Sequence, residues 1–330
     1  MDFNEHTSFA MEIAREAGAE LMRRFGHNHV VGTKSTPSDL VTEADFASEQ
    51  LLVERIRQRY PSHQILSEEG SGQGSLDAEW LWVIDPLDGT VNYAHRLPSF
   101  AVSIAVARRG TVVGGVVYEP VRSLCFAAER GRGAECNGEP LRVSGARTLS
   151  GAMLSTGFPY WMDGNPENNL REFTEVALRA QAVRRLGVAS LDLAWVAAGV
   201  LDGYWEPNLQ PWDWAAGALL VQEAGGNVTD YEGQPWSGNH AARRHKWPVP
   251  RGATRCAEIV AGCSACAMMR AFVEQHEYLF QGANARSASA STHTEEQHNS
   301  MHQQGYGQSS HRQEFRSNRT PRKAGERPVV

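Results

Sequence analysis

The chain of 330 residues is long enough for one large domain or two smaller ones. Its hydrophobic content of 41% suffices for a packed core, and its net charge of −6 gives no overall reason to expect a nucleic acid or an anionic membrane as partner. Five cysteines at irregular spacing are a poor disulfide framework, and no run approaches the roughly 20 apolar residues of a membrane-spanning helix. We therefore expect a cytoplasmic protein that has no membrane partner.

The first sixty residues predict two helices. Apolar residues recur at four-residue steps between residues 8 and 25, and Gly26 then predicts the end of a helix. A loop or short hairpin is expected over residues 30–42, and a second helix from Thr42 to Tyr60, which Pro61 ends. The apolar side chains of the second helix are its candidate core contacts: Phe46, Leu51, Leu52 and Ile56.

Short apolar runs rich in β-forming residues predict strands farther along the chain. Runs over residues 64–67 and 80–84 come first, and Pro86 is expected to take the chain out of the second strand, because proline cannot donate to a sheet. Three more runs predict an antiparallel meander between residues 100 and 128. Strands and helices are mixed without strict βαβ alternation, which favours a layered α+β or mixed α/β fold over a Rossmann sheet. The remaining predicted elements are helices near 168–181, 189–199 and 213–224, a strand at 258–262 and a helix at 268–276.

The last fifty residues differ in composition from the rest of the chain. From Gln281 to Val330 there is no Leu, Ile or Trp, and Ser, Gln, His, Asn and Arg dominate. Such a segment buries too little apolar surface to offset the entropy lost on ordering. We expect a disordered polar tail with a mild excess of positive charge, since seven Arg or Lys stand against four Glu.

The segment with the clearest chemical signal follows an apolar run at residues 80–84. Asp85 and Asp88 stand three residues apart, and together with the Leu87 carbonyl they would form a hard-oxygen site suited to Mg²⁺. The N–H groups of Gly89 and Thr90 are candidates for a small anion-binding nest beside it. The alternative is an ordinary Asx-type turn at Asp88 that holds no ligand.

Three further segments combine acids with turn residues. Glu68 and Glu69 follow an apolar run, and adjacent acids on a strand point to opposite faces, so one can join a metal site while the other faces water. Asp213 stands where an N-cap is expected, before a helix of small residues. Asp39 or Thr42 would cap a helix whose first turn carries Glu43 and Asp45. Alone, each segment is equally explained by helix capping or by a solvated acid pair.

Together the segments resemble the inositol monophosphatase family, within the lithium-sensitive, Mg²⁺-dependent phosphatase superfamily. The resembling stretches are SDLVTEAD, LSEEG, WVIDPLDGTVNY, RRLGVASLDLAWVAAGVLDGYWE and WDWAAGALLVQEAGG, in that order along the chain. The resemblance implies a catalytic domain over residues 1–278, followed by the polar tail at 279–330. It also implies an α/β/α/β/α layered sandwich of the fructose-1,6-bisphosphatase and inositol monophosphatase type, and a homodimer.

The resemblance implies roles for individual residues as well. Thr90, hydrogen-bonded to Asp45, would position or deprotonate the attacking water, and Lys34 would lie close to the active site. The substrate would be contacted by Asp88, Gly89, Thr90, Ala189 and Glu206, the amides of Gly89 and Thr90 holding the phosphate. Two or three Mg²⁺ ions would be ligated by Glu68, Asp85, Leu87, Asp88 and Asp213.

Two stretches depart from the family pattern. Val188 and Ser190 stand where bacterial relatives resemble G-S-A-A-L, a departure that affects the expected substrate contacts of that helix. Residues 152–165 match poorly at a place where a substrate contact would lie, and no residue is assigned there.

The reaction implied is hydrolysis of a small polyol phosphomonoester by direct attack of a metal-activated water, without a phosphoenzyme. The favoured substrate is myo-inositol 1-phosphate, because Asn92–His95 resembles the inositol phosphatases and a carboxylate at Glu206 suits a polyhydroxylated group. The alternatives are fructose-1,6-bisphosphatase or histidinol phosphatase activity. A non-catalytic, RNA-associated or transcription-associated role on the same fold is a third alternative, which only the basic tail favours. A nucleic acid is therefore not expected as a partner.

Overall fold

The computed structural model describes residues 1–27, 30–34, 36–37, 39–75 and 77–229, and the backbone of residues 259–262. The predicted helix at 268–276 and the predicted polar tail at 279–330 lie outside these residues. Within the part of the chain that is described, no helix has the length and apolar character needed to cross a membrane.

Two helices and a hairpin form the N-terminal part, as the sequence predicts. Helix α1 (Glu5–Arg24) is followed by the antiparallel strands β1 (Val30–Thr33) and β2 (Leu40–Thr42) and by helix α2 (Glu43–Arg59). Thr42 caps α2 in a reciprocal capping box with Asp45, which satisfies N–H groups at the helix start. The expectation that Phe46 packs in the core was wrong, because Phe46 is 47% exposed and lies off the helix face that buries Leu52 and Ile56.

The largest sheet has seven strands in the spatial order β3-β4-β5-β6-β7-β8-β9. Strands β3 and β4 are parallel, every later neighbouring pair is antiparallel, and the meander predicted between residues 100 and 128 is confirmed as β5, β6 and β7. The seven strands are β3 (Gln64–Ser67), β4 (Leu81–Asp88), β5 (Ala101–Arg108), β6 (Thr111–Glu119), β7 (Leu124–Glu129), β8 (Gly133–Cys136) and β9 (Glu139–Pro140), with the short helix α3 (Thr90–Ala94) between β4 and β5.

The predicted departure of the chain at Pro86 was wrong, because β4 continues to Asp88. Asp85 pairs with Ser103 and Asp88 with Ala101, so three steps along β4 span only two steps along β5. A bulge within β4 thus accommodates the missing N–H of proline, and the strand does not end there. This irregular stretch carries three of the five residues that were predicted to bind metal, namely Asp85, Leu87 and Asp88.

A second sheet has five strands in the spatial order β11-β10-β12-β14-β13. Strand β10 is parallel to both neighbours, and β14 is antiparallel to both of its own. Its strands and the helices around them are β10 (Met153–Thr156), α4 (Leu170–Ala177), β11 (Ala182–Arg184), α5 (Ala189–Ala197), β12 (Gly203–Glu206), α6 (Pro211–Glu223), β13 (Asn227–Thr229) and β14 (Ile259–Gly262), and a short 3₁₀ helix over Leu149–Gly151 precedes β10.

The elements stack in five layers around three hydrophobic clusters. Helices α1 and α2 cover one face of the large sheet, while α5 and α6 pack against its other face and also against the smaller sheet. Helix α4 covers the far face of the smaller sheet, where Leu154 and Trp205 meet Val176. The predicted α/β/α/β/α sandwich is therefore confirmed.

Candidate active site

The bulged end of β4 buries the two central acids. Asp85 is 2% and Asp88 9% exposed, and Asp85 Oδ1 accepts a hydrogen bond of 3.0 Å from the Leu87 N–H. Gly89 then turns the chain with φ of +90°, a left-handed conformation that glycine adopts without steric cost, and α3 begins at Thr90. No side chain caps the start of this short helix, so the N–H groups predicted to hold phosphate are not engaged by a capping side chain.

Thr90 makes the predicted hydrogen bond to Asp45. The distance from Thr90 Oγ1 to Asp45 Oδ1 is 2.9 Å, and the Leu87 carbonyl lies 3.0 Å from the same hydroxyl. The other oxygen of Asp45, Oδ2, accepts from the N–H and the hydroxyl of Thr42 at 2.8 and 2.6 Å. The capping box of α2 thus fixes the carboxylate that faces Thr90. Burial raises the pKa of Asp45, against the opposing effect of its Thr42 hydrogen bonds.

Several carboxylates lie within electrostatic reach of Asp85. Burial raises the pKa of Asp85 well above its usual range, and the charges of Glu68, Asp88 and Asp213 add to the increase. Burial also raises the pKa of Asp88 to about 6, although hydrogen bonds from Ser190 oppose this. The pKa of Asp213 is raised by burial and by the charges of Glu68 and Asp88. Such like charges, gathered from several elements, call for a counter-cation.

Glu68 and Glu69 are arranged differently from the prediction. We expected adjacent strand residues facing opposite sides, but β3 ends at Ser67 and both acids stand in the following turn. The Lys34 ammonium donates to Glu68 Oε1 at 2.7 Å and to Glu69 Oε1 at 2.5 Å, and the Glu69 side chain is only 5% exposed. Burial lowers the pKa of Lys34, but these two acids outweigh it and the net shift is upward. Lys34 therefore lies at the site, as predicted.

Asp213 is not the N-cap of its helix. Helix α6 begins two residues before Asp213, at Pro211, and Gln210 is its N-cap residue. Asp213 is the third helical residue, and its Oδ2 accepts a 2.6 Å hydrogen bond from the Gln210 N–H. Proline is favoured at a first helical position because its missing N–H would be unpaired there, which explains the earlier start.

The donor set fits Mg²⁺ in its chemistry. It consists of carboxylates and one carbonyl, which are the oxygen ligands that hard divalent cations prefer. In the part of the chain that is described, no three His, Cys, Asp or Glu side chains converge closely enough to surround one ion. Glu68 is held by Lys34 and Asp213 by the Gln210 N–H, so ligation by the full set would require both side chains to exchange these partners.

Glu206 is the last residue of β12 and lies within electrostatic reach of Asp88. Its carboxylate accepts a short hydrogen bond from the Tyr204 hydroxyl and lies against Gly157, where an added Cβ would stand 1.9 Å from Oε2. Burial raises the pKa of Glu206 to about 7, and the charge of Asp88 adds to the increase. The residue proposed for the polyol therefore interacts electrostatically with Asp88, one of the residues proposed for the metal.

Two residues that were not assigned from the sequence also reach the site. Ser190, at the start of α5, donates to Asp88 Oδ2, and the neighbouring Ala189 N–H also bonds Asp88. Tyr160 stands in the stretch that matched the family poorly, and although it is 51% exposed, partial burial and the charges of nearby acids, Asp39 and Glu68 foremost, raise the pKa of its hydroxyl. The departure at Ser190 was the available sequence signal; for Tyr160 there was none, because its loop has no periodic pattern.

A known protein family matches this chain over most of its length. The model of the Inositol monophosphatase family matches residues 2–258. The chain is 48% identical over 234 residues to the protein named Nus factor SuhB of Pseudomonas aeruginosa, covering 68% of this chain and 85% of that protein. It is 44% identical over 220 residues to Inositol-1-monophosphatase of Rhizobium meliloti, covering 66% of this chain and 82% of the relative.

Solved structures show the same likeness. The extragenic suppressor protein suhB from Bartonella henselae matches with a TM-score of 0.71 at 36% identity, covering 82% of this chain and 98% of that one. The inositol monophosphatase from Anabaena matches with a TM-score of 0.68 at 38% identity, covering 82% and 95%. By family match, sequence identity and fold, the chain belongs to the inositol monophosphatase family.

Proposed function

We propose that this protein hydrolyses a small polyol phosphomonoester in a Mg²⁺-dependent reaction, and that myo-inositol 1-phosphate is the favoured substrate. One observation carries the proposal. The buried acids Asp85 and Asp88 lie at the bulged end of β4, close to Thr90. The Thr90 hydroxyl is hydrogen-bonded to another buried acid, Asp45. A purely structural role would not explain why so many like charges are gathered there.

Five oxygen donors would hold the metal. When bound, Mg²⁺ supplies positive charge that lowers the pKa of water and neutralises the oxygens of the phosphate. Asp85 and Asp88 are carried by β4, and Asp213 comes from α6, so the donors approach from two sides. The set is Glu68, Asp85, the Leu87 carbonyl, Asp88 and Asp213.

The Thr90–Asp45 pair would move the proton released during hydrolysis. Asp45 Oδ1 is within hydrogen-bond distance of Thr90 Oγ1, so it can accept the threonine proton while Thr90 accepts one from the attacking water. Burial raises the pKa of Asp45, which makes it a stronger base than a solvated aspartate. Because Thr42 holds the other oxygen, the base is oriented before substrate arrives.

The remaining groups would bind the two parts of the substrate. The N–H groups of Gly89 and Thr90, at the uncapped start of α3, are placed to hold phosphate oxygens. Glu206 would accept hydrogen bonds from hydroxyls of the leaving polyol, together with Asp88 and the Ala189 backbone. The water oxygen would form a new bond to phosphorus as the bond from phosphorus to the polyol oxygen breaks, and the alkoxide would take a proton from solvent to leave as the alcohol.

A turnover panel tests this function. Metal-free protein is titrated with Mg²⁺ in the presence of myo-inositol 1-phosphate, fructose 1,6-bisphosphate or histidinol phosphate. We expect Mg²⁺-dependent release of phosphate, fastest from inositol 1-phosphate, and loss of at least about a thousandfold in kcat for Asp88→Asn. Equal or faster turnover of another ester would reject the inositol assignment, and no Mg²⁺-dependent turnover of any would reject the phosphatase proposal.

A second candidate is a binding role in transcription, which the 48% identity to a relative named Nus factor SuhB favours. The two roles are separated by the same Asp88→Asn variant in the source cell. A cellular role that survives this substitution, with the variant folded and inactive, would support binding. A homodimer, implied by family resemblance, is part of the proposal and is tested by light scattering of the purified chain.

A further inference from the structure

Ser190 holds Asp88 by two hydrogen bonds. It is the second residue of α5, it is fully buried, and it stands 102 positions from Asp88 in sequence. Its N–H and its hydroxyl both donate to the same carboxylate oxygen, Asp88 Oδ2, at 2.7 and 2.6 Å. Two donors on one oxygen fix the orientation of the carboxylate more firmly than one donor would.

The Asp88 carboxylate in turn acts as an N-terminal cap of α5. The residue at the N-cap position of α5 is Val188, whose side chain has no hydroxyl and makes no capping bond. A capping oxygen normally accepts from the second or third N–H of a helix, and here Asp88 Oδ2 accepts from the N–H of Ser190. Val188 instead packs on Gly89, where an added Cβ would stand 2.8 Å from Val188 Cγ2.

This chain has no hydroxyl at the cap position of α5 and has one at Ser190, which reaches the Asp88 carboxylate at 2.6 Å. These bonds link the start of α5 directly to a proposed metal ligand.

We propose that Ser190 is a positioning residue for Asp88, which holds Oδ2 against α5 so that Oδ1 is the oxygen offered to Mg²⁺. This inference rests on the proposed function, since it assumes that Asp88 binds the ion. The neighbouring acids repel Asp88, and a carboxylate that has lost its hydroxyl donor turns more freely among them. Loss of a hydrogen bond to a charged group should therefore weaken Mg²⁺ binding about tenfold.

Three variants test the proposal. Ser190→Ala removes the hydroxyl and keeps the N–H. The double variant V188S/S190A places a capping hydroxyl at the start of α5 and still lacks the side-chain hydrogen bond to Asp88. Thr7→Val is the control, because Thr7 is a buried residue of α1 whose hydroxyl bonds no group in the described part of the chain. Mg²⁺ affinity is measured by calorimetry on the metal-free proteins, and Tm is measured with EDTA.

We expect the Kd for Mg²⁺ to rise about tenfold in Ser190→Ala and to stay within twofold of the wild type in Thr7→Val. In the double variant, we expect Mg²⁺ binding to stay weak and Tm to be no higher than in Ser190→Ala, because Val188 is fully buried against Gly89. An unchanged Kd in Ser190→Ala would overturn the proposal. Recovery of both Tm and Kd in the double variant would also overturn it, because Ser190 would then act only by stabilising the helix.

The calorimetry separates this inference from the proposed function. A wild type that binds Mg²⁺ but hydrolyses none of the esters would reject the proposed function, and the ratio of Kd values would still decide the role of Ser190. A wild type that turns over substrate, with Ser190→Ala equal to it in Kd, would reject the Ser190 proposal alone. A wild type that does not bind Mg²⁺ would reject both.

Discussion

At the residue scale, each acid of the candidate site has its own protein partner. Asp45 is bonded by Thr42 and Thr90, Asp88 by Ser190, and Glu68 by Lys34. These partners hold the carboxylates in distinct orientations although the charges repel one another. Burial raises the pKa of Asp45 and of Asp88, so both carboxylates are more basic than when solvated. The site therefore combines strong cation attraction with a base that is oriented in advance.

Removal of the Thr90 hydroxyl should abolish most of the activity. Thr90→Val keeps the size of the side chain but removes the 2.9 Å hydrogen bond to Asp45. The proton of the attacking water can then no longer pass through the hydroxyl to Asp45. We expect kcat to fall by about 10²–10⁴ and the calorimetric Kd for Mg²⁺ to change little. Thr90→Ser retains the hydroxyl and is the matched control, expected within about tenfold of the wild type. A Thr90→Val variant with more than a tenth of wild-type kcat would contradict the role.

Glu206 should make stability depend on pH. Because burial raises its pKa to about 7, the folded state binds this proton more tightly than the unfolded state does. Its contribution to stability is complete below the ordinary glutamate pKa of about 4.5 and is lost as the pH rises through about 7. In metal-free protein, Glu206→Gln should match the wild type near pH 5 and be more stable near pH 8.

Near pH 8 we expect the free energy of unfolding of Glu206→Gln to exceed that of the wild type by about 1–2 kcal/mol. This figure is reduced because the carboxylate is partly exposed to solvent. The measurement is urea unfolding at the two pH values. Glu167→Gln, on an exposed loop, is the control and should show no such dependence. An equal effect of Glu206→Gln at both pH values would show that the carboxylate is solvated in the folded protein.

At the element scale, irregularities of strand and helix determine where the site residues stand. The β4 bulge places Asp85 and Asp88 at the sheet end without breaking the strand, which sequence reasoning about Pro86 did not anticipate. The earlier start of α6 moves Asp213 inside the helix. Small residues on α6 let it approach α5 closely between the two sheets. The close packing of α5 against α6 therefore depends on the small size of these α6 side chains.

Gly217 tests how closely α5 and α6 are packed. An added Cβ would stand 2.5 Å from Leu193 Cβ and 2.8 Å from its Cδ1, which is too close for either helix to keep its place. We expect Gly217→Ala to lower the free energy of unfolding by about 1–2 kcal/mol, since overpacking exceeds the gain in helix propensity. Gly145→Ala, where the added carbon meets nothing within 4 Å, is the control. Equal stability of the two variants in urea would contradict this packing.

At the scale of the whole molecule, the site is assembled from distant parts of the chain. β4 belongs to the seven-stranded sheet, β12 belongs to the five-stranded sheet, and α5 and α6 lie between them. The charge of Asp88 helps to raise the pKa of Glu206 although the two residues come from different sheets. Relative placement of the two sheets therefore sets the distance between the proposed phosphate and polyol groups.

The division into a catalytic domain and a polar tail remains a prediction. A variant ending at Tyr278 should keep its Tm and a kcat/KM within about threefold of the full chain, since the tail composition cannot form a packed core. Thermal unfolding and turnover of the two proteins, measured side by side, check this. A fall in Tm of several degrees would show that residues after 278 stabilise the domain.

The sequence by itself determined the fold class, most of the helices and strands, and the acids of the candidate site. Periodicity and capping are local properties, so they are readable without tertiary contacts, as in α1 and in the Thr42–Asp45 capping box. The tertiary structure decided which partners these acids meet. Lys34 bridges Glu68 and Glu69, and Ser190 reaches Asp88, because the folded chain brings together residues far apart in sequence. No local pattern encodes such contacts, since they depend on how the layers pack.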